Sequence, residues 1–506
     1  MVRRFVLLLV LGSIIGLAAC GGGGGSSSVT SVSVTCSPST VSSGGTSQCT
    51  AIVGGTGNFN TAVTWSTGAG TISSSGLLTA PTVSASTSVT VTATSVQNTS
   101  VSGTASVTVN PASAGANVAP ISVDAGPAGL GYTSTNAAFV TVKVCVPGSG
   151  GQCQTVDHVM VDTGSSGLRL LSSAAGGEFS LSLPGENDPN NNDAFGECLV
   201  FLDGYVWGTV NTATVTVSGE TASSVPVQVI LPSTSSPGVP TSCSNQNPSG
   251  GAGNEGNSLG DFGANGIIGV GLFPQDCGQY CVSQGSTCNG SNNAPCVYYD
   301  CPSSGCTPAN IAIAQQIPNP VTAFATDNNG VLILLPSVAD GGSSPVGGPY
   351  LTGSLIFGIG TESNNGLGGA QVYGLNGEGE LTTTFNGSSI PGFLDSGSNG
   401  FFFNDSSIAT CPSPNQDWYC PSTSPDNLSA QNQGTNMNAG VTVNFSIENA
   451  DNLLNSSNTA FSTLGGPYIS TPAEFDWGLS FFYGRSIFTA IDGAITPGGN
   501  GPYFAY

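Results

Sequence analysis

Apolar and polar residues alternate along much of the first quarter of the chain. Val and Ile alternate with Ser and Thr in four runs that Gly and Ser residues separate, VTSVSVTC, TAVTWST, SVTVTATS and GTASVTV. A period of two residues is typical of strands with one buried and one exposed face. Residues 29–110 are therefore predicted to form a small β-sandwich.

Beyond a small-residue linker at 111–118, the chain remains rich in short apolar runs bounded by Gly, Pro or Asn. The predicted strands are AAFVTVKVCV, DHVMVDTG, NTATVTVSG, VPVQVIL, GVLILLP, GSLIFGIG, GVTVNFSI and SIFTAID. Helix signals are few, and NIAIAQQI (310–317) is the best of them. Residues 119–506 are too many for one sandwich, so two β lobes are predicted, 119–335 and 336–506.

The N-terminus has the pattern of an export signal. Arg3 and Arg4 precede the apolar run FVLLLVLGSIIGLAA, which is short for a membrane span. The run ends in LAAC, which resembles a bacterial lipobox, so residues 1–20 are predicted to be a lipoprotein signal peptide with Cys20 as the lipidation site. An ordinary secretory signal with a chance Cys is the alternative. Residues 21–28 are predicted to be a flexible tether.

This signal predicts where the protein resides. Lipidation at Cys20 would attach the mature chain to a membrane through acyl chains such as palmitate. The expected location is the bacterial cell envelope, in the outer membrane or at the surface, and a monomer is expected.

The composition narrows the range of partners. Lys and Arg total 5 against 28 acidic residues, for a net charge of −23 at pH 7. Such a chain has little with which to neutralise phosphates, which argues against nucleic acid as a partner. Because few ion pairs are available to be lost in acid, we expect little loss of stability when the pH falls from neutral to mildly acidic.

The cysteines indicate an oxidising compartment. The chain has 15 Cys, and an even number remains once Cys20 is set aside, as full pairing requires. Three pairs close in sequence are predicted, namely Cys36–Cys49, Cys145–Cys153 and Cys411–Cys420. The Cys residues between Cys277 and Cys306 are predicted to form a disulfide-rich insertion. Zinc binding is the alternative there, but a CxxC pair and a nearby His are lacking. Neither a metal nor an organic cofactor is predicted.

Two segments far apart in the chain share one pattern. MVDTGSSGLRL and FLDSGSNGFFF each have two apolar residues, then Asp, Thr or Ser, Gly and Ser, and a second Gly before an apolar run. Two close carboxyls cannot both ionise, so Asp162 and Asp395 together would supply the acid and the base that attack of water on a peptide bond requires. The residues predicted to support this dyad are Thr163, Gly164, Ser165, Ser396, Gly397 and Ser398.

These paired motifs resemble those of the pepsin-like aspartic peptidases. NGIIGVGLF and DWGLSFFYGRSIFTAID are similar to the family's strands beside each catalytic loop, GSLIFGIGTESNNGL to its strand entering the second lobe, and FLDGYVWGTVNTATVTVSG to its flap hairpin. The resemblance covers about residues 119–506 and implies a bilobal double β-barrel, endopeptidase activity and a peptide or protein substrate in the cleft between the lobes. It makes Tyr205 the best flap candidate, with Phe201 and Trp207 as the alternatives.

The N-terminal segment TWSTGAGTISSSGLLTAP resembles bacterial immunoglobulin-like modules, which implies spacing or adhesion. The fold class expected for the whole chain is therefore all-β, with an immunoglobulin-like sandwich followed by the bilobal domain.

Alternatives remain at this point. Arg169 stands where the peptidase family usually has Trp, and a pepsin-fold binding or adhesion protein without catalysis is the alternative function. A Ser-His-Asp or Cys-His site would need His158, the only His in the sequence, which is predicted to be an ordinary strand residue. Glycosidases also use two carboxyls, but they do not require two matched turns.

Overall fold

The computed structural model describes residues 27–42, 46–81, 87–110, 115–148, 151–202, 204–246, 254–286, 288, 295–338, 351–436 and 440–506. The predicted signal peptide with Cys20 lies outside these residues, as do most of the tether and half of the linker. The chain divides after residue 114 into two compact units. None of the helices in the described ranges is long and apolar enough to cross a membrane.

The first unit consists of two four-stranded sheets. Its strands are β1 Ser28–Ser37, β2 Thr40–Ser42, β3 Thr46–Thr56, β4 Val63–Thr67, β5 Thr71–Ile72, β6 Leu77–Thr79, β7 Thr87–Ser95 and β8 Ser102–Asn110. The sheet orders are β1-β3-β6-β5 and β2-β8-β7-β4. Val41, Leu78 and Val91 come from both sheets and share one buried cluster. The alternating pattern therefore places its apolar residues between two packed sheets, while the immunoglobulin-like assignment stays a prediction.

The second unit is also all-β, which confirms the predicted class for the described residues. Its first strands are β9 Val118–Val123, β10 Phe139–Cys145, β11 Cys153–Asp162, β12 Ser166–Leu171, β13 Ala194–Val200, β14 Gly204–Val217, β15 Glu220–Ile230, β16 Asn254–Glu255, β17 Gly266–Val270, β18 Tyr298–Cys301 and β19 Thr307–Pro308. Its later strands are β20 Gly330–Leu334, β21 Leu351–Phe357, β22 Val372–Gly374, β23 Leu381–Phe385, β24 Ser388–Leu394, β25 Phe401–Phe402, β26 Asp426–Gln433, β27 Val441–Ile447, β28 Gly465–Gly466, β29 Phe475–Trp477, β30 Ser486–Ala490, β31 Ile495–Thr496, β32 Gly499–Asn500 and β33 Tyr503–Ala505.

The helices of this unit are short. They are α1 Thr241–Ser244, α2 Leu259–Phe262, α3 Gln279–Val282, α4 Ala450–Leu454 and α5 Leu479–Phe482, with 3-10 turns at Ser173–Ala175, Gln284–Ser286, Ile313–Gln315 and Pro320–Ala323. The prediction of a helix at 310–317 is wrong, because only Ile313–Gln315 forms a 3-10 turn. Ile311 and Ile317 instead pack into a buried cluster, and Pro318 disfavours helical geometry in the residue before it.

Six strands of the N-terminal lobe close into a ring. β10 pairs with β11, β11 with β17, β17 with β12, β12 with β15, β15 with β14, and β14 returns to β10. Val142, Val161, Leu168 and Val215 are fully or almost fully buried in the core. Closure leaves these strands no free edge, so the ring is a barrel that holds the end of β11 firmly.

The chain then continues into a second β region. β9 pairs with both β10 and β21, and from β21 the sheet runs on through β20, β30, β33 and β22. A separate seven-stranded sheet has the order β27-β26-β23-β24-β29-β25-β28. Its core is aromatic, since Phe403 stacks on Phe475, and Phe475 in turn stacks on Trp477. This packing fixes the strands that lead to Asp395.

Disulfides form as predicted. The three predicted pairs are present, Cys36–Cys49, Cys145–Cys153 and Cys411–Cys420. The insertion contains the pairs Cys277–Cys281, Cys288–Cys296 and Cys301–Cys306, which confirms a disulfide-rich segment. One further pair, Cys198–Cys243, joins β13 to α1 across 45 residues and was not singled out from the sequence.

Candidate active site

Two strands lead to the paired aspartates. β11 ends at Asp162, and β24 ends at Leu394, one residue before Asp395. Val161 and Leu394, which precede the aspartates, are buried in the core. In each lobe the apolar run anchors the strand in the core. The turn that follows the strand then holds the carboxyl of the aspartate.

A further strand passes beside each aspartate. In the N-terminal lobe, β17 lies parallel to β11 and antiparallel to β12, with Asp162 opposite Gly269. A Cβ atom on Gly269 would lie 2.6 Å from the backbone nitrogen of Ser166, so only glycine fits there. In the C-terminal lobe, β29 lies parallel to β24 and antiparallel to β25 in the same way. The likeness between the two motifs thus extends to the strands around them.

Thr163 and Ser396 join the two loops by reciprocal hydrogen bonds. The Thr163 N–H donates to Ser396 Oγ at 3.1 Å, and the Ser396 N–H donates to Thr163 Oγ1 at 2.9 Å. Their hydroxyls donate across the lobes to the carbonyls of Leu394 and Val161, at 3.0 and 2.8 Å. All four bonds are buried and link residues more than 230 positions apart. Such satisfied buried bonds fix one arrangement of the two turns.

Each carboxylate also receives two local donors. The Gly164 N–H donates to Asp162 Oδ1 at 2.7 Å, and the Ser165 hydroxyl donates to Asp162 Oδ2. The C-terminal counterparts do the same at 2.8 Å, with Gly397 N–H bound to Asp395 Oδ1 and Ser398 Oγ bound to Asp395 Oδ2. Both oxygens of each carboxyl are therefore held in place by donors from the carboxyl's own loop.

The two glycines allow this close approach. A Cβ atom on Gly164 would lie 2.8 Å from the Cγ and Oδ1 atoms of Asp395. A Cβ atom on Gly397 would likewise lie 2.8 Å from Asp162 Oδ1. Each loop therefore needs glycine because the carboxyl of the other lobe lies directly against it.

The environment of the pair favours one bound proton. Burial raises the pKa of Asp162 well above its ordinary value, and the charge and hydrogen bond of Asp395 raise it further. The bonds from Ser165 and Gly164 act in the opposite direction. Adjacent carboxyls that are within hydrogen-bond distance cannot both ionise, so one proton belongs to the pair.

Residues 113–506 match a family described as a protein of unknown function, DUF3443. The chain belongs to this family. A sequence comparison with curated proteins gives no match. Among solved structures, the chain is similar to the aspartic proteinase from Irpex lacteus, with a TM-score of 0.44 and 15% identity over 77% of this chain and 96% of that chain.

In this DUF3443 protein, the predicted flap is a hairpin of β13 and β14. Tyr205 lies on β14 opposite Val200. Its side chain is buried and belongs to an apolar cluster with Trp207 and the Cys198–Cys243 disulfide. Packing against the disulfide-rich side of the lobe accounts for the contacts of Tyr205, and its role over the cleft stays a prediction.

Arg169 lies on β12 and is fully buried. Its guanidinium forms ion pairs with Glu197 on β13, at 2.5 Å, and with Asp276, at 3.0 Å. The Tyr298 hydroxyl donates to Asp276 as well, at 2.7 Å. Where the resemblance predicts Trp, the chain therefore has a buried charged network around Arg169. This network ties the hairpin of β13 and β14 to β12, the strand after the Asp162 loop.

Two carboxyls and one guanidinium make this network acidic. Burial raises the pKa of Asp276 well above its ordinary value, and the charge and hydrogen bond of Glu197 add to that rise, while Arg169 lowers it. Asp276 therefore takes up a proton more readily in acid than an ordinary Asp does.

His158 lies four residues before Asp162, and two neighbouring carboxylates contact its imidazole. It contacts Asp157 at 2.8 Å and Asp124 at 3.2 Å. The hydrogen bond with Asp124 raises the pKa of His158 to about 9, and the bond with Asp157 and both charges act in the same direction. These contacts suit the predicted structural role.

Three buried carboxyls near the site, those of Glu197, Asp276 and Asp476, were not predicted from the sequence. Asp476 is a third buried carboxyl, and its pKa is raised well above its ordinary value by burial and by the charge of Asp395. A charged residue inside an apolar run was the available signal, in AFGECLV for Glu197 and in FDWGLSFF for Asp476.

Proposed function

We propose that the second unit is a pepsin-like aspartic endopeptidase that hydrolyses peptide bonds through Asp162 and Asp395. The observation that supports this is the reciprocal geometry of the two loops, in which each carboxyl lies against the glycine of the opposite loop. A symmetric pair of carboxyls with one proton provides an acid and a base at the same place. An extended peptide or protein segment would lie in the cleft between the lobes.

In this mechanism Asp162 holds the shared proton and Asp395 is ionised. Asp395 removes a proton from a water molecule while the water oxygen bonds to the peptide carbonyl carbon, and Asp162 gives its proton to the carbonyl oxygen. The tetrahedral intermediate then collapses as the C–N bond breaks, and the amine leaves with a proton from the dyad. The Gly164, Ser165, Gly397 and Ser398 donors hold both carboxyls in place throughout.

Water and the two carboxyls suffice for this reaction. Among the described residues, the one cluster with metal-ligand spacing is Cys411, Cys420 and Asp451. Cys411 and Cys420 form a disulfide, so this cluster offers no thiolate ligand.

We further propose that the mature chain is a cell-envelope lipoprotein attached through Cys20. The apolar signal and the LAAC sequence support this, together with seven disulfides, which form in an exported protein. Labelled palmitate should enter the wild-type protein, and Cys20→Ser should abolish both labelling and membrane attachment. Undiminished labelling of Cys20→Ser would contradict the assignment.

Hydrolysis of a denatured protein between pH 3 and 6 tests the peptidase proposal. We expect Asp162→Asn and Asp395→Asn each to lower kcat by at least about 100-fold, as loss of an acid or base does. Asp405→Asn, which removes a half-exposed carboxyl of the C-terminal lobe, should leave kcat unchanged. Hydrolysis that persists in both dyad variants would refute the proposal. Peptide binding without hydrolysis by the wild-type protein would favour the binding or adhesion protein instead.

A further inference from the structure

A third aspartate lies beside the dyad on one side only. Asp476 is the middle residue of β29, where it pairs with Phe393 of β24. At the same register in the N-terminal lobe, Met160 of β11 pairs with Ile267. Both lobes therefore bury a side chain at this position. In the N-terminal lobe it is the apolar Ile267, which is 2% exposed, and in the C-terminal lobe it is the carboxyl of Asp476, which is 1% exposed.

The direction of Asp476 follows from the strand. Phe475 and Trp477, on either side of it, stack on each other in the aromatic core. Side chains alternate along a strand, so Asp476 points away from that core and toward the side that carries Asp395. The Asp476 side chain lies within hydrogen-bonding reach of Ser398, and a hydroxyl proton given by Ser398 to Asp476 would lower the pKa of Asp476.

Ser398 stands between two carboxyls with a single hydroxyl proton. Its Oγ donates to Asp395 Oδ2 at 2.8 Å, and a serine hydroxyl can donate only once. The bond between Ser398 and Asp476 is therefore complete only if Asp476 donates, which requires the neutral acid. The buried Asp476 Oδ1 has no hydrogen-bond partner among the described residues, and a neutral carboxyl tolerates this far better than a carboxylate does.

We propose, on the basis of the peptidase function proposed above, that Asp476 is a positioning residue for Asp395. As the neutral acid, it donates to Ser398 Oγ, and Ser398 donates to Asp395 Oδ2. This chain of two hydrogen bonds holds the negative charge of the dyad on Asp395 and leaves the shared proton with Asp162. No proton is transferred along it. The N-terminal lobe has Ile267 in place of this acid, so the additional donor acts on one carboxyl only.

The charged and titratable groups around Asp476 agree with a neutral acid there. Burial raises the pKa of Asp476 most, the charges of Asp395, Asp162 and Glu474 raise it further, and the Ser398 contact lowers it. Tyr468 also faces this region, since Asp476 contributes to the raised pKa of its hydroxyl. Ionisation of Asp476 would add a negative charge to a group of carboxyls that is already acidic.

The pH profile of kcat/KM for peptide hydrolysis tests the role of Asp476. Its acid limb reports protonation of the ionised carboxylate, and a donor to that carboxylate lowers its pKa. We expect Asp476→Leu to move the acid limb up by about one pH unit, which lowers kcat about tenfold on that limb with KM within about twofold. Asp476→Asn retains an N–H donor and should leave the limb in place. Glu474→Gln removes a nearby carboxyl that bonds Tyr468, and it is the matched control.

The background of Ser398→Ala separates a relay from a local effect. If Asp476 acts through Ser398, the difference between the Asn and Leu variants should disappear in that background. A downward movement of the acid limb in Asp476→Leu would show that Asp476 is ionised and would overturn the proposal. Loss of stability in both variants without any movement of the limb would overturn it as well.

The pH dependence of unfolding examines Asp476 without catalysis. A carboxyl that stays protonated in the folded protein ionises on unfolding above about pH 4, so stability falls as pH rises toward the folded pKa. Between pH 4 and 7 we expect the wild-type protein to lose stability more steeply than Asp476→Asn, by the release of about one proton. Equal slopes would overturn the proposal. Absence of hydrolysis by the wild-type protein would instead refute the peptidase function, whatever the slopes.

Discussion

Replacement of Arg169 by Met should destabilise the protein strongly at neutral pH and weakly in acid. Met keeps the unbranched stem but removes the guanidinium that Glu197 and Asp276 contact at 2.5 and 3.0 Å. Both carboxyls are then buried without a counter-charge, and breaking a buried pair in this way costs about 3–5 kcal/mol. At pH 4 Asp276, whose pKa burial raises well above its ordinary value, can take up a proton, and about 1–2 kcal/mol should remain for the lost hydrogen bonds.

The sign follows from the raised pKa of Asp276. A carboxyl with a raised folded pKa stabilises the protein below its unfolded pKa, and that contribution is lost as pH rises through the folded value. Removal of Arg169 raises the folded pKa further, because Arg169 lowers it. In the variant the carboxyl is therefore neutralised more easily in acid than at neutral pH, and the loss of stability should be larger at pH 7 than at pH 4.

Urea denaturation of wild type and variant at pH 7 and pH 4 measures both numbers. Arg485→Met is the control, since Arg485 lies 4.4 Å from the centre of the Phe481 ring and forms no ion pair with a carboxylate in the described part of the chain. Its cost should be about 1 kcal/mol and the same at both pH values. An equal loss for Arg169→Met at pH 4 and pH 7 would refute the electrostatic account and leave only packing.

Three further outcomes are expected. Gly164→Ala places a Cβ atom 2.8 Å from the carboxyl of Asp395, so kcat for peptide hydrolysis should fall by at least about 100-fold; wild-type kcat would contradict the close approach. His158, with a pKa raised to about 9, should contribute stability that is present below pH 6.5 and lost as pH rises through about 9; denaturation of His158→Asn and wild type from pH 6 to 10 checks this, and a constant difference would be the contrary result. Removal of the Cys198–Cys243 disulfide, which spans 45 residues, should cost about 3–4 kcal/mol in urea denaturation, whereas an unchanged midpoint would show that the loop is ordered without it.

The dyad could be predicted because its geometry is encoded locally. An apolar pair anchors the strand, Asp follows, and Gly lets the other loop approach, so one short segment specifies half of the site. The likeness of the two segments then predicts that the halves meet. The reciprocal bonds of Thr163 and Ser396 follow from that symmetry.

Other parts of the site depend on contacts that no short segment reveals. Arg169 is 28 residues from Glu197 and 107 from Asp276, and only the barrel brings the three together. Asp476 lies between Phe475 and Trp477 in the sequence. Nothing in this short segment indicates that its carboxyl lies near Ser398. The helix predicted at 310–317 is absent for a similar reason. Ile311 and Ile317 pack in one cluster with Cys281 and Tyr298 of the disulfide-rich segment and do not form a helical face.

The reciprocal bonds between the loops also determine when the site can exist. Thr163 and Ser396 are 233 residues apart, and each satisfies the backbone of the other. A chain that ends at residue 335 contains Asp162 and Thr163 but lacks Asp395 and Ser396. The pair of carboxyls therefore forms only when both loops are present and in contact. An incompletely synthesised chain thus cannot hold two carboxyls side by side, because half of the bonds that fix them come from residues it lacks.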